Sequence, residues 1–241
     1  MEREKFNRYY QAFLGQGQEI RPGVKLCLSN KREEAFCHWY QQMIICSLGP
    51  DETVFSVGPT HFEDLKNYIL NARVNLRTQA GCITVLKNFD HLYRVDPMVR
   101  LTRTSPISQA LQSVTLTREM FIESAEDMDK KDLQEVLARK AYELEAGCQK
   151  VILEGKKIRA GARVSNIHFE GANIAVWTHE DYRGRGYGKD VVTGVTNWCL
   201  DNELLPIYLV TEANIPSLKL AKSLGYEIMA KEIICTKENR S

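Results

Sequence analysis

The chain predicts a mixed α/β fold, helices layered on a sheet of parallel and antiparallel strands, and three observations carry that expectation. Short β-branched runs alternate with helical periodicities along most of the 241 residues. A strand, a glycine-rich turn and a helix follow one another without a gap from Ile174 onward. A polar run, Thr102 to Ser113 with Pro106, sets a first region apart from a second. The expected organisation is a smaller α/β lobe over residues 1–113 and a main domain over residues 114–241.

In the first region, Phe6, Tyr9, Tyr10 and Phe13 recur at helical spacing between Lys5 and Leu14. Val24 to Leu28 reads as a strand, and Arg32 to Cys46 as a helix or a helix running into a strand. Thr53 to Val57 reads as a strand, His61 to Ala72 as a helix, and Cys82 to Leu86 as another strand. Asp96-Pro97 and the polar run Thr102 to Ser113 mark a linker or lobe boundary. Aromatic pairs such as Trp39-Tyr40 could line a substrate cleft; filling this lobe's own core is the expected role.

In the second region, Val114 to Leu116 suits a first strand. Ser124 to Asp132 is acidic and turn-like. Asp132 to Ala146 then places Leu133, Val136, Leu137, Ala141 and Leu144 on one helical face, and Gly147 ends the helix. Gln149–Leu153 and Ile158–Phe169 form a hairpin around Gly155-Lys156. The strand Ile174-Ala175-Val176-Trp177-Thr178 leads through His179-Glu180-Asp181 to Gly184, Gly186 and Gly188. Behind them Val191, Val192, Val195, Trp198 and Cys199 form one apolar stripe. Leu205 to Val210 is a strand, Asn214-Ile215-Pro216-Ser217 starts a helix that stops at Gly225, and Tyr226 to Cys235 closes the sheet as a strand pair or one bent strand.

A strand feeding a glycine-rich turn at a helix N-terminus suits an anion, because the first N–H groups of a helix have no internal acceptor and the dipole favours negative charge there. Three phosphate loops compete, and spacing separates them. A dinucleotide fingerprint needs glycine where Lys189 stands; a P-loop needs glycine where Arg183 stands and a hydroxyl where Asp190 stands. The pattern Arg183-x-x-Gly186-x-Gly188, after an apolar strand and Tyr182, resembles the acetyl-CoA pyrophosphate loop of the GNAT superfamily of N-acetyltransferases. A glycine-rich turn with no ligand is the alternative for the loop taken alone. The flanking order, with Leu224-Gly225-Tyr226 after the Asn214 helix, is similar to the C-terminal half of a GNAT domain, and the resemblance runs from about Val114 to Cys235. The added N-terminal lobe looks like the GNAT subgroup that includes some bacterial antibiotic-resistance acetyltransferases.

The resemblance implies a GNAT acyl-CoA N-acyltransferase fold in the C-terminal half, with the N-terminal lobe helping to form the acceptor cleft. It implies acetyl-CoA as cosubstrate, held at its pyrophosphate by the main-chain amides of Gly184, Arg185, Gly186, Tyr187, Gly188 and Lys189, with charge from Arg183, Arg185 and Lys189. The backbone of Val176, Trp177 and Thr178 would pair with the pantetheine arm, one N–H polarising the thioester carbonyl. Asn214 would contact CoA or cap its helix; capping is the expected role. Many GNAT enzymes carry a tyrosine, as general acid, three residues before the Leu of the Leu-Gly pair; here that position is Ala221. The strand carboxylate common in the superfamily is absent from Ala172 to Thr178. Glu212 is the first candidate base and His179 the second, with Glu170 and His168 behind them.

The implied activity is direct transfer of an acetyl group to a primary amine, of a small molecule first; a protein or peptide amine, or a CoA-binding protein of the same fold without turnover, are the alternatives. A formal net charge of +1 points to no nucleic-acid partner. No apolar run reaches the length of a membrane span, so a soluble, cytoplasmic protein is expected. Seven scattered cysteines without Cys-x-x-Cys spacing read as reduced, buried thiols. No metal is expected, and Cys37-His38 is read as structural. Nothing in the sequence sets the oligomeric state.

Overall fold

The computed structural model describes residues 2–37, 40–91 and 93–238. The expectations on Cys37-His38 and Trp39-Tyr40 rest on His38 and Trp39, which lie outside the described residues. The chain forms two compact units. The first comprises residues 1–102, 209–218 and 227–241; the second comprises residues 103–208 and 219–226.

In the first unit, helix α1 (Glu2–Leu14) precedes strands β1 (Gln16–Arg21) and β2 (Val24–Leu28), which form a hairpin. Strands β3 (Ala35–Cys37), β4 (Tyr40–Leu48) and β5 (Thr53–Val57) follow, then helices α2 (Phe62–Asn71) and α3 (Gln79–Phe89) and strand β6 (Arg94–Thr102). β2 pairs with β5 in parallel; β5 with β4, and β3 with β4, pair antiparallel. The last strand of the chain, β12 (Glu227–Glu238), lies antiparallel to both β4 and β6. It is one strand bent by a register shift between Ile228 and Ala230, which settles the choice left open for this segment. Leu26, Ile44, Phe55, Leu65, Ile69, Cys82 and Leu86 pack into one core on this sheet.

Three expectations for this unit are corrected. Cys82–Leu86 is the middle of helix α3, not a strand: Cys82, Val85 and Leu86 are buried at i, i+3 and i+4, and the Thr78 hydroxyl accepts from Gly81 N–H as an N-cap. A five-residue apolar run carries no periodicity that separates the two cases. Among the described residues Arg32–Cys46 contains no α-helix; a 3₁₀ turn at Asn30–Arg32 leads into β3 and β4. Asp96-Pro97 lies inside β6, not in a linker, and Pro97 keeps its carbonyl in use by accepting from Glu212 N–H (3.0 Å). β1 was not anticipated, because Gln16–Arg21 is polar and exposed over most of its length.

The second unit contains β7 (Val114–Thr115), α4 (Arg118–Ser124), α5 (Lys130–Arg139), α6 (Ala141–Glu145), β8 (Gln149–Glu154), β9 (Lys157–His168), β10 (Gly171–Thr178), α7 (Tyr187–Asp201) and the start of β11 (Leu205–Thr211). β7, β8, β9 and β10 pair antiparallel in sequence order, and β10 pairs in parallel with β11. Helix α8 (Ile215–Ser223) begins in the first unit and ends in the second. The helix expected over Asp132–Ala146 is two helices broken at Lys140. Helix α4, capped by Thr117, ends where the acidic stretch Ser124–Asp132 begins, and Asp129 within that stretch caps α5, which takes up its last residues.

Helix α7 packs on β8, β9 and β10 through Val191, Val192, Val195 and Cys199, all fully buried. Its opposite flank binds the polar run before β7. The Asn197 side chain accepts from Ile107 N–H (2.8 Å) and donates to Ile107 O (3.0 Å), and the Asp190 carboxylate accepts from Gln112 N–H (2.8 Å) and Ser113 N–H (2.9 Å). Because residues 190 and 197 are two turns apart on one face, the run Arg103–Ser113 lies as an extended strap along the helix.

Candidate active site

The site is built by the exit of β10 and the entry of α7. Strand β10 pairs with β9 over its whole length, Gly171 to Thr178. Its pairing with β11 covers only Gly171, Ala172 and Asn173, opposite Leu205, Pro206 and Ile207. Past Asn173 the outer edge of β10 therefore has no strand partner among the described residues. His179 N–H donates to Arg159 O (2.9 Å), which fixes the alternation: 175, 177 and 179 turn their peptide groups toward β9, and 176 and 178 turn theirs to the outer edge. The main-chain N–H groups of Val176 and Thr178 are the donors on that edge. Trp177 points to the other face, nearly half exposed, with its indole lying over Gly161 so closely that a Cβ there would meet Nε1 at 2.9 Å.

A 3₁₀ turn, Glu180–Tyr182, carries the chain from β10 into the glycine loop. Gly184 (φ 80°) and Gly186 (φ 83°) adopt the left-handed conformation that side-chain-bearing residues rarely take, and a Cβ on either would meet nothing within 4 Å. The glycines are required by backbone conformation, and the space outside them is open. Gly188 serves differently. It sits in the first turn of α7 where a Cβ would approach the Thr178 hydroxyl at 3.2 Å, so it lets helix and strand end come together.

The main-chain donors of this loop are uncommitted. Arg183 N–H donates to Glu180 O and Asp190 N–H to Gly186 O, whereas among the described residues no acceptor is found for the N–H groups of Gly184 through Lys189. Gly186, the N-cap of α7, has no side chain to take one. Six consecutive donors around a helix N-terminus, with free space outside Gly184 and Gly186, suit an anion such as a diphosphate.

Side chains frame the loop. Arg183 Nε reaches back to Thr178 O (3.4 Å), Arg185 lies 3.7 Å from the Glu154 carboxylate, and the Tyr187 hydroxyl donates to Glu154 Oε1 (3.1 Å). The guanidinium groups of Arg159 and Arg185 lie over the Tyr182 ring at 4.8 and 4.7 Å, and Tyr182 stacks on Tyr187. A hydrogen bond with Glu154 raises the Tyr182 hydroxyl above its ordinary pKa. Glu154 and Arg159 were not singled out by sequence reasoning. They flank the Gly155-Lys156 hairpin turn, and its pairing with β10 was the signal that could have brought them to the loop.

Comparison with known proteins decides the family. A family model described as GNAT acetyltransferase matches residues 65–232, more than half of the chain. The chain belongs to the GNAT acetyltransferase family. The match starts well before Val114, so the family likeness reaches into the first region as far as α2. Among solved structures the chain is similar to a GNAT-family acetyltransferase from Colwellia psychrerythraea, at 13% identity and TM-score 0.50, covering 81% of each chain. It is similar as well to a GCN5-related N-acetyltransferase from Sphaerobacter thermophilus, at 13% identity and TM-score 0.51, covering 78% of this chain and 73% of that one. These likenesses show the fold. No protein of curated function matches.

The positions that a GNAT protein uses for proton transfer are sparse here. Ala221, at the usual tyrosine position, is fully buried on α8. Tyr226 is a core residue. Its hydroxyl donates to Thr196 Oγ1 (2.6 Å), since that hydroxyl gives its own proton to Val192 O, and burial raises its pKa far above the ordinary value. His179 belongs to the second unit, its imidazole half exposed with Nδ1 3.4 Å from the Asp181 carboxylate. Glu212 belongs to the first unit, where its carboxylate accepts from Gln79 Nε2 (3.0 Å). Asn214 does what its position in the sequence predicts: Oδ1 accepts from Ser217 N–H (3.2 Å) as a helix cap. Six of the cysteines, at positions 27, 46, 82, 148, 199 and 235, are free and buried. Among the described residues no group of three His, Cys, Asp or Glu side chains stands close enough to hold a metal, and no helix is long and apolar enough to cross a membrane.

Proposed function

We propose that this GNAT protein transfers an acetyl group from acetyl-CoA directly to a primary amine of a small molecule. The observation that carries the reading is the run of unaccepted N–H groups from Gly184 to Lys189, placed where β10 ends and its outer edge is unpaired. Acetyl-CoA supplies an acetyl group activated as a thioester. The chain's part is to hold the diphosphate on the loop amides, with Arg183, Arg185 and Lys189 adding charge, and to align the thiol arm on the backbone of Val176, Trp177 and Thr178. The Val176 or Thr178 N–H, fixed in direction by the pairing with β9, is the donor proposed for the thioester oxygen.

The amine must lose a proton as it bonds to the acetyl carbon and the carbon–sulfur bond breaks. Glu212 is the base proposed first, because Gln79 fixes one carboxylate oxygen and leaves the other available; His179 is the second. With Ala221 at the acid position, the departing sulfur leaves as thiolate and is protonated from solvent. The N-terminal region, residues 1–113, is proposed to shape acceptor choice. The reading is tested by following free-thiol release from acetyl-CoA across a panel of amines, peptides and acyl donors. Thiol release on at least one small amine is expected, with Glu212→Gln lowering kcat on the order of 10²-fold. An unchanged rate in Glu212→Gln together with loss in His179→Ala would move the base to His179.

Buried Ala221 and the absence of a carboxylate on β10 favour one second reading, a protein that binds CoA without turnover. Tight CoA binding with no thiol release on any amine or peptide would establish it, and release only on peptides would reassign the acceptor.

A further inference from the structure

The first unit carries a wide-mouthed surface pocket of about 530 Å³ whose lining has a consistent chemistry. Asp64, Tyr68 and Asn71 stand at i, i+4 and i+7 on one face of α2, while Leu65 and Ile69 on the opposite face are fully buried in the core. His61, just before α2, and Phe89 with Asp90, at the end of α3, complete the wall. Phe89 makes edge-on contacts with Tyr68 (5.7 Å) and His61 (6.4 Å), so the three rings brace one another. The His61 imidazole lies 3.4 Å from the hydroxyl of Tyr93, which burial, with Asp90 beside it, pushes up to about 12.

The lining holds two carboxylates, aromatic rings and side-chain amides, and neither lysine nor arginine. That balance rejects anions. It also fails a metal ion, because no three potential ligands converge here among the described residues. Carboxylates beside aromatic rings, here the exposed Tyr68 and the half-buried Phe89, are the combination that holds an organic cation, one by charge and the other by the ring quadrupole and apolar contact. The volume is in the range of small-molecule sites. We propose that this pocket of the first unit binds a small alkylammonium cation, an inference that does not depend on the proposed activity.

The test is titration calorimetry of the full chain with choline, in low salt and without acetyl-CoA, so that nothing can be acylated. Saturable binding to one site is expected at millimolar concentration. Asp64→Asn with Asp90→Asn should weaken it about tenfold, Tyr68→Leu about threefold, and Tyr68→Phe, which keeps the ring, hardly at all. Should the double variant fail to fold, the Tyr68 pair decides alone. The proposal is overturned by the absence of saturable heat at tens of millimolar, or by equal affinity in Tyr68→Leu and wild type. CoA binding measured on the same variants should be unchanged, and this separates failure here from failure of the acetyltransferase reading.

Discussion

Gly184 and Gly186 have left-handed backbones and nothing near a would-be Cβ, so alanine at either site meets conformational strain alone, about 1–2 kcal/mol. That strain reorients the loop amides. Gly184→Ala and Gly186→Ala should each weaken CoA binding about tenfold or more and lower the thermal midpoint slightly, as calorimetry and a melting curve would read. Arg100 poses a different residue-scale problem. Its side chain is 1% exposed and grips the Glu232 carboxylate at 2.7 and 3.0 Å, with the Tyr9 hydroxyl accepting a third bond at 2.9 Å. Burial works against the guanidinium charge, but the Glu232 carboxylate outweighs it and holds the pKa above the ordinary value. Nearby Arg32, buried and facing Arg100, is instead pulled down to about 10. Arg100→Met alone strands a buried carboxylate and should cost about 3–5 kcal/mol in urea unfolding, whereas Arg100→Met with Glu232→Leu should recover most of the loss.

At the scale of elements, α7 is held from two sides, by its apolar stripe on β8–β10 and by the strap Arg103–Ser113 on its outer flank. Asn197→Ala removes both bonds to Ile107 and leaves that peptide unsatisfied, so chemical denaturation should report a loss of about 1–3 kcal/mol. Hydrogen exchange at Ile107 N–H should rise with it. The sequence made the core of this region legible: the glycine spacing, the α7 stripe and the Asn214 cap all appear where residue pattern alone puts them. It hid the strap, because a run rich in Ser, Thr and Pro has the composition of a linker whether or not a helix flank offers acceptors and donors to it. It hid α3 and β6 as well. The first is an apolar run too short for its period to show, and the second passes through a proline whose carbonyl alone serves the sheet.

At the scale of the molecule, the chain builds its first unit partly from its own C-terminus, since β12 lies between β4 and β6. No reading in chain order reveals that return, because pairing partners more than about a hundred residues apart leave no local signal; the matched apolar residues Ile233, Ile234 and Cys235 are only its consequence. The loop geometry, by contrast, depends on six adjacent peptides and a strand edge, which is why the strand, the glycine turn and the helix start are legible in the sequence. The function proposed for it rests on these peptides being donors without acceptors among the described residues. Calorimetric titration with CoA and with pantetheine, which lacks the diphosphate, measures this most directly. The account predicts saturable CoA binding and an affinity for pantetheine at least about a hundredfold weaker, the difference expected when several charge-assisted hydrogen bonds are lost. No CoA binding at millimolar concentration, or equal affinity for the two, would contradict it.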